Sequence, residues 1–122
     1  MPSKPHARHT VTQPLDNSYR IIPLTKGQNA LVDVMDFERL SGFSWHAYWD
    51  ARGKTFYART TLPNGRTLSM HRMILDCKGK EEADHVSWDT LDNRRSNLRK
   101  CTRNQNVRHR RKRSTNSKNL PS

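Results

Sequence analysis

Between Tyr19 and His71 the chain alternates short runs rich in β-branched and aromatic residues with clusters of turn formers, a rhythm that favours small antiparallel hairpins. YRIIPLT and ALVDV flank Lys26-Gly27-Gln28-Asn29 and predict a first hairpin, with Pro23 confined to an edge because it lacks an N–H. SWHAYW, TFYARTTL and RTLSMH predict three further strands, joined through Asp50 to Lys54 and through Pro63-Asn64-Gly65. The Asn-Gly dipeptide is the strongest hairpin cue in the chain, since such turns need residues that tolerate positive φ. Along TFYARTT the strand period of two sends Phe56, Ala58 and Thr60 to one face and Tyr57, Arg59 and Thr61 to the other. One face can pack, and the polar face bearing Arg59 can meet a partner or stand in water. Two short helices interrupt the strands. DFERLSG places Phe37 and Leu40 on one side, with Asp33 or Asp36 as N-terminal cap and Gly42 as a left-handed terminator. MHRMIL spaces Met70, Met73 and Ile74 for burial, with His71 beside them as a supporting, hydrogen-bonded residue.

The length of 122 residues predicts one domain, and 32% hydrophobic against 28% charged residues predicts a modest core diluted by polar tails. Met1 to Ser18 reads as a flexible arm and 114–122 as a disordered tail. Twenty-three Lys and Arg against eleven Asp and Glu give a net charge of +12, which favours a polyanionic partner: nucleic acid first, an anionic membrane surface second. No apolar run reaches the length of a membrane span and MPSKPHARHT lacks a signal peptide's apolar segment, so the expectation is a soluble cytoplasmic protein. Cys77 and Cys101 form no C-x-x-C pair, which points to two reduced, buried thiols and away from a disulfide framework or a cysteine-rich zinc site.

The chemistry concentrates in ADHVSWDTLDNRRSNLRKCTRNQN, from Ala83 to Asn106. Hydrolysing a phosphodiester needs a base for water and a cation for the charge that builds on the phosphate and the leaving oxygen. Adjacent Asp84 and His85 offer a metal-binding carboxylate and an imidazole base. Neighbours on a strand point to opposite faces, so the fold must bend or twist to bring both to one phosphate. Thr102-Arg103-Asn104-Gln105 has the form of a capping box and predicts a helix whose first turns carry Asn106 as a second oxygen ligand. Oxygen donors without cysteine favour one Mg²⁺ or Mn²⁺ over Zn²⁺. The segment as a whole reads as strand, long loop, strand, helix.

Taken together, MHRMIL, the Asp84-His85 pair, LDNRRSNLR from Leu91 and TRNQN from Thr102 resemble the HNH endonucleases of the small phage and intron-homing type. The spacing agrees: 97 − 85 = 12 positions from His85 to Asn97, and 106 − 97 = 9 to Asn106. The resemblance covers about Ile21 to Arg110 and implies an α+β fold. A small antiparallel, AP2-like DNA-binding sheet region with one short helix (19–69) would precede a ββα-metal nuclease motif (70–113), with disordered basic tails. It implies His85 as general base, Asp84 and Asn106 as metal ligands, and Asn97 as the residue that orients the histidine through a hydrogen bond. Two departures stand out. Val86-Ser87-Trp88-Asp89-Thr90 has no glycine where relatives carry an Asn-Gly or Asp-Gly turn, leaving Trp88 to wedge at a groove or pack on the body. The chain also stops soon after the expected helix, without further DNA-binding repeats, so recognition is expected to be short or relaxed.

Ten Lys and Arg and no acid lie between Arg94 and Arg113, whereas Asp76 to Asp92 holds six of the eleven acids. Arg94, Arg95, Arg99, Arg103, Arg108, Arg110 and Arg111 are therefore expected to contact the DNA backbone, and Arg59, on the polar sheet face, is the expected DNA contact in a major groove. His109, one helical turn from Asn106, is a minor competitor for metal. The resulting expectation is a nuclease acting on double-stranded DNA, as a monomer or weak dimer, in a bacterial or phage-infected cell. A non-catalytic DNA-binding module is the alternative, and an RNA-binding protein, resting on charge alone, is the third.

Overall fold

The computed structural model describes residues 8–102. Within them the fold is α+β, with seven short strands in three antiparallel sheets and two short helices. The first hairpin pairs β1 (Arg20–Pro23) with β2 (Asn29–Val32), Ile22 opposite Ala30. Its turn works as the composition requires: Lys26 and Gly27 take φ of 60° and 70°, and Leu24 N–H closes onto the Gln28 carbonyl at 2.8 Å. With only two strands in this sheet, Pro23 sits at an edge.

The second sheet runs β3 (His46–Asp50), β4 (Thr55–Thr61), β5 (Thr67–Ser69). The alternation along β4 holds, with Ala58 and Thr60 buried and Arg59 half-buried on the opposite side. Gly65 adopts φ of +89° in the β4–β5 turn, while Asn64 serves through its side chain, whose Oδ1 accepts from Arg66 N at 2.9 Å. The third sheet is the hairpin of β6 (Glu81–His85) and β7 (Leu98–Thr102), which pairs Asp84 with Arg99 and His85 with Leu98. Between these strands the chain makes a twelve-residue excursion, 86–97, ending in a 3₁₀ turn at Arg95–Asn97.

Helix α1 (Val34–Leu40) buries Leu40 and packs Phe37 on the core, as its periodicity predicts. Its ends differ from expectation. Asp33 stands at the N-cap, but its Oδ2 accepts from Arg95 N at 2.8 Å and not from its own helix. Gly42 is not left-handed; the helix closes through Ser41 in a right-handed conformation, so glycine's freedom is not used there. Helix α2 (Met70–Leu75) buries Met70 and Ile74 and ends at Asp76, a non-glycine residue at φ 53°. Residues of the arm contact the body: Arg8 donates to the Trp45 carbonyl at 2.6 Å, and Gln13 donates to the Ile21 carbonyl and accepts from its N–H. Cys101 is buried, but Cys77 is only partly so, and both are free thiols. No helix among the described residues is long and apolar enough to cross a membrane.

One apolar cluster joins residues from both halves of the chain, including Ile22, Val32, Trp45, Met70, Ile74 and Leu98. Trp45 is 2% exposed, and its indole N–H donates to the Leu40 carbonyl at 2.8 Å, so its polar atom is satisfied inside the core. Beside this core lies a buried charge, Asp36. Arg95 bonds it with two nitrogens, each at 2.9 Å, and Arg39 adds a third contact at 3.1 Å. Burial opposes ionisation of Asp36, but the hydrogen bonds and charges of Arg95 and Arg39 outweigh it and hold the carboxyl below its ordinary value. Such a carboxylate contributes stability that is present above its unfolded value of 3.8 and is lost as pH falls through the lower folded value. Asp36→Asn is therefore expected to lower unfolding free energy by about 3 kcal/mol at neutral pH. Urea titrations of the two proteins should begin to approach one another as the pH falls below 3.8 and converge only once it has passed the lower folded value.

Candidate active site

The end of β6 carries the two residues that the sequence places at the chemical centre. His85 is 4% exposed, and Asp84 is partly buried beside it. Although they are strand neighbours, both line one cleft of about 520 Å³, together with Asp50, Tyr57, Trp88 and Thr90. An adjoining cleft of about 440 Å³ shares Asp50, Tyr57 and Asp84 with it and adds Tyr48, Arg59 and His71. The two clefts together run from the polar face of β3 and β4 to the end of β6. Asp50 and Tyr57 are wall residues that the sequence did not single out, because β3 and β4 meet β6 only through tertiary packing.

His85 is fixed on two sides. Its ring stacks on His71 at 4.6 Å between centroids and 27° between planes, and Tyr57 lies 6.0 Å from both rings. Its Nε2 lies 2.7 Å from Oδ1 of Asn93. Burial lowers its basicity, against the hydrogen bond to Asn93 and the charges of Asp84, Asp89 and Asp92, so the net effect is a pKa below the ordinary histidine value. Burial thus favours the unprotonated ring, the form a general base needs.

Asn97 has a different task from the one the resemblance implies. Its Oδ1 accepts from Ser87 N at 2.9 Å, and its Nδ2 donates to the Asp92 carbonyl at 2.9 Å and the Asp89 carbonyl at 3.4 Å. It staples the start of the excursion to its end and acts on His85 through the loop. The side-chain bond to the imidazole comes from Asn93. Both asparagines are visible in LDNRRSN, but a sequence does not say which of two loop amides turns inward. The missing glycine turn is replaced by side-chain contacts: Ser87 Oγ accepts from Asp89 N, and Thr90 Oγ1 donates to the Phe56 carbonyl at 2.6 Å. Trp88 is 73% exposed and lines the cleft, so it is not packed into the body.

The expected DNA contacts divide. Arg59, on the cleft wall, lies over the Tyr48 ring at 4.1 Å and donates to Thr67 Oγ1 at 2.8 Å. Arg94 is bidentate to Asp92 at 2.8 and 2.7 Å, and Arg95 is bidentate to Asp36. Arg99 pairs with Asp84 Oδ2 at 3.2 Å. These three guanidiniums are engaged with the fold's own carboxylates. Arg103, Arg108, Arg110 and Arg111, the second metal ligand Asn106, His109 and the helix expected after Thr102 lie outside the described residues. Among the described residues, no group of three or more His, Cys, Asp or Glu side chains is placed to hold a metal.

His71 supports the site as a neutral ring. Burial, then the charges of His85 and Arg72, drive its pKa from 6.5 down to about 3, against a hydrogen bond with the Ala83 backbone. The unfolded chain takes up a proton below 6.5 that the folded chain refuses, so stability present above 6.5 is lost as pH falls toward 3. His71→Phe, which keeps the stacked ring, is expected to flatten this part of the stability-pH curve, measurable by urea unfolding across that window.

No family model matches the chain, and neither a curated protein nor a solved structure does.

Proposed function

We propose that the chain is a divalent-metal-dependent endonuclease of the HNH type that hydrolyses phosphodiester bonds in duplex DNA. In this reading β6, the excursion and β7 form the ββ part of a ββα-metal motif, and β3 to β5 form an AP2-like sheet that offers Arg59 to DNA. The observation that carries the reading is the shared cleft of Asp84 and a buried His85, held on one side by a stacked ring and on the other by an amide. Hydrolysis needs this combination of a hard oxygen donor and an oriented base at one phosphate.

Asp84 suits Mg²⁺ or Mn²⁺, which take oxygen ligands and retain water, so one or two protein donors suffice beside substrate oxygens. Asn106 is the second proposed donor. A bound ion would stabilise the charge that develops on the phosphate and the leaving oxygen. The Arg99 guanidinium now neutralises Asp84, so a cation there replaces one positive charge with another. His85 takes a proton from the attacking water, a new P–O bond forms, and the bond to the leaving oxygen breaks. The stack on His71 keeps the imidazole from turning away from the water. The low basicity that burial imposes keeps the ring unprotonated before the step.

Two observations favour the second reading, a DNA-binding module that does not cut: His85 is 4% exposed, and Asp84 is already paired. Incubation of supercoiled plasmid with the protein separates the two. Nicking or linearisation is expected with Mg²⁺ or Mn²⁺, none with chelator, and a loss of about 100-fold or more in His85→Ala, within the span that general-base catalysis contributes. Intact plasmid in every lane, with salt-sensitive binding that ignores chelator and survives His85→Ala, would establish the binding module instead.

A further inference from the structure

We infer that Asn93 is the positioning residue of the proposed base, and that with Met70 it fixes the proton of His85 on Nε2 and leaves the lone pair on Nδ1. The inference rests on the reading of His85 as the base, and it starts from hydrogen-bond chemistry. Asn93 is 1% exposed, and its amide has two neighbours: Oδ1 lies 2.7 Å from His85 Nε2, and Nδ2 lies 3.3 Å from the Met70 sulfur. A thioether can accept a hydrogen bond but never donate one. Turning the amide over would set its oxygen against the sulfur, two acceptors with no hydrogen between them, and would give up the bond from Nδ2 to Met70. Met70 thus selects the orientation in which the carbonyl faces His85. A carbonyl oxygen only accepts, so Nε2 carries the hydrogen, and the neutral ring keeps its basic lone pair on Nδ1.

The amide is itself held from behind. Asn93 N–H donates to the Leu31 carbonyl at 2.8 Å, and Leu31 N–H donates to the Leu91 carbonyl at 2.9 Å, so β2 grips the loop on either side of Asp92. On the adjacent side the Asp92–Arg94 pair closes a tight turn. The stack on His71 fixes the plane of the His85 ring, and Asn93 fixes which nitrogen bears hydrogen and which way the ring is turned within that plane. Asn97 braces the backbone of the same loop and makes no bond of this kind, so the two asparagines should separate in experiment.

Nitrogen-15 NMR of protein labelled at histidine, with the His85 signals assigned by difference against His85→Gln, reads the tautomer directly at a pH where the ring is neutral. The expected result for the parent is a protonated Nε2 and an unprotonated Nδ1. Asn93→Leu removes the acceptor at similar volume and is expected to mix the tautomers and lower kcat for plasmid nicking about 10- to 100-fold, with KM for DNA little changed. Asn93→Asp retains an acceptor and is expected to recover the parental tautomer and most of kcat, whereas Asn97→Ala should leave the tautomer unchanged. A parental His85 protonated on Nδ1, or an Asn93→Leu protein with parental tautomer and kcat, would overturn the inference. If Asn93→Leu does not fold, the parental spectrum and Asn93→Asp still decide. If the parent cuts no DNA, the nuclease reading fails, and the spectrum still judges the Asn93 contact on its own.

Discussion

Two backbone hydrogen bonds from Leu31 connect parts of the chain that no sheet joins. Leu31 donates to Leu91 and accepts from Asn93, which clamps the middle of the excursion between β6 and β7 onto the first hairpin. An excursion of this length, built largely of Ser, Asp, Asn and Arg, has little apolar surface with which to hold its own shape. Each net hydrogen bond contributes only about 1 kcal/mol, so order here comes from several anchors acting together. Thr90 ties the loop to β4, Leu31 ties it to β2, and Asn97 ties its two ends to one another. The proposed base is the next residue before this braced segment, and its partner Asn93 sits inside it. The rigidity of the site is therefore inherited in part from hairpins that carry neither the proposed base nor the proposed metal ligand.

Charge is organised by the same economy of contacts. A chain with net +12 would be expected to present its arginines outward, yet Arg94, Arg95 and Arg99 each satisfy an internal carboxylate. For Arg95 the partner is almost fully buried, and a guanidinium fork is suited to such a carboxylate because it can meet both oxygens at once. The contrast with Arg59 is instructive. It rests on an aromatic ring and a hydroxyl at the cleft wall, contacts that leave a full positive charge available to a phosphate.

What could be read from the residues was governed by distance along the chain. The hairpins, the two-residue alternation of β4 and the MHRMIL helix follow from neighbours within a few positions, and all are found where the pattern puts them. The failures share a cause. Asp33 looks like a cap, but Arg95, 62 positions away, supplies a better donor. Gly42 looks like a terminator, but the helix closes without positive φ. Asp84 and His85 stand out by residue type alone, whereas Asn93, Asp50 and Tyr57 join them only through contacts that a linear reading does not contain.

Every ladder in the described residues pairs strands that are consecutive in sequence. Such hairpins close small loops and can form on a timescale of about 1–10 µs, before any long-range contact exists. The clamp at Leu31 is different, since it joins positions 91 − 31 = 60 residues apart and must wait until the hairpins dock. During synthesis β2 emerges long before the loop that it will hold. A chain that has made its strands but not this last closure would have native-like secondary structure and an unaligned imidazole. Alignment of the proposed base would then be the final event of folding, and the first hairpin would be the place where local unfolding releases the loop without dismantling the rest.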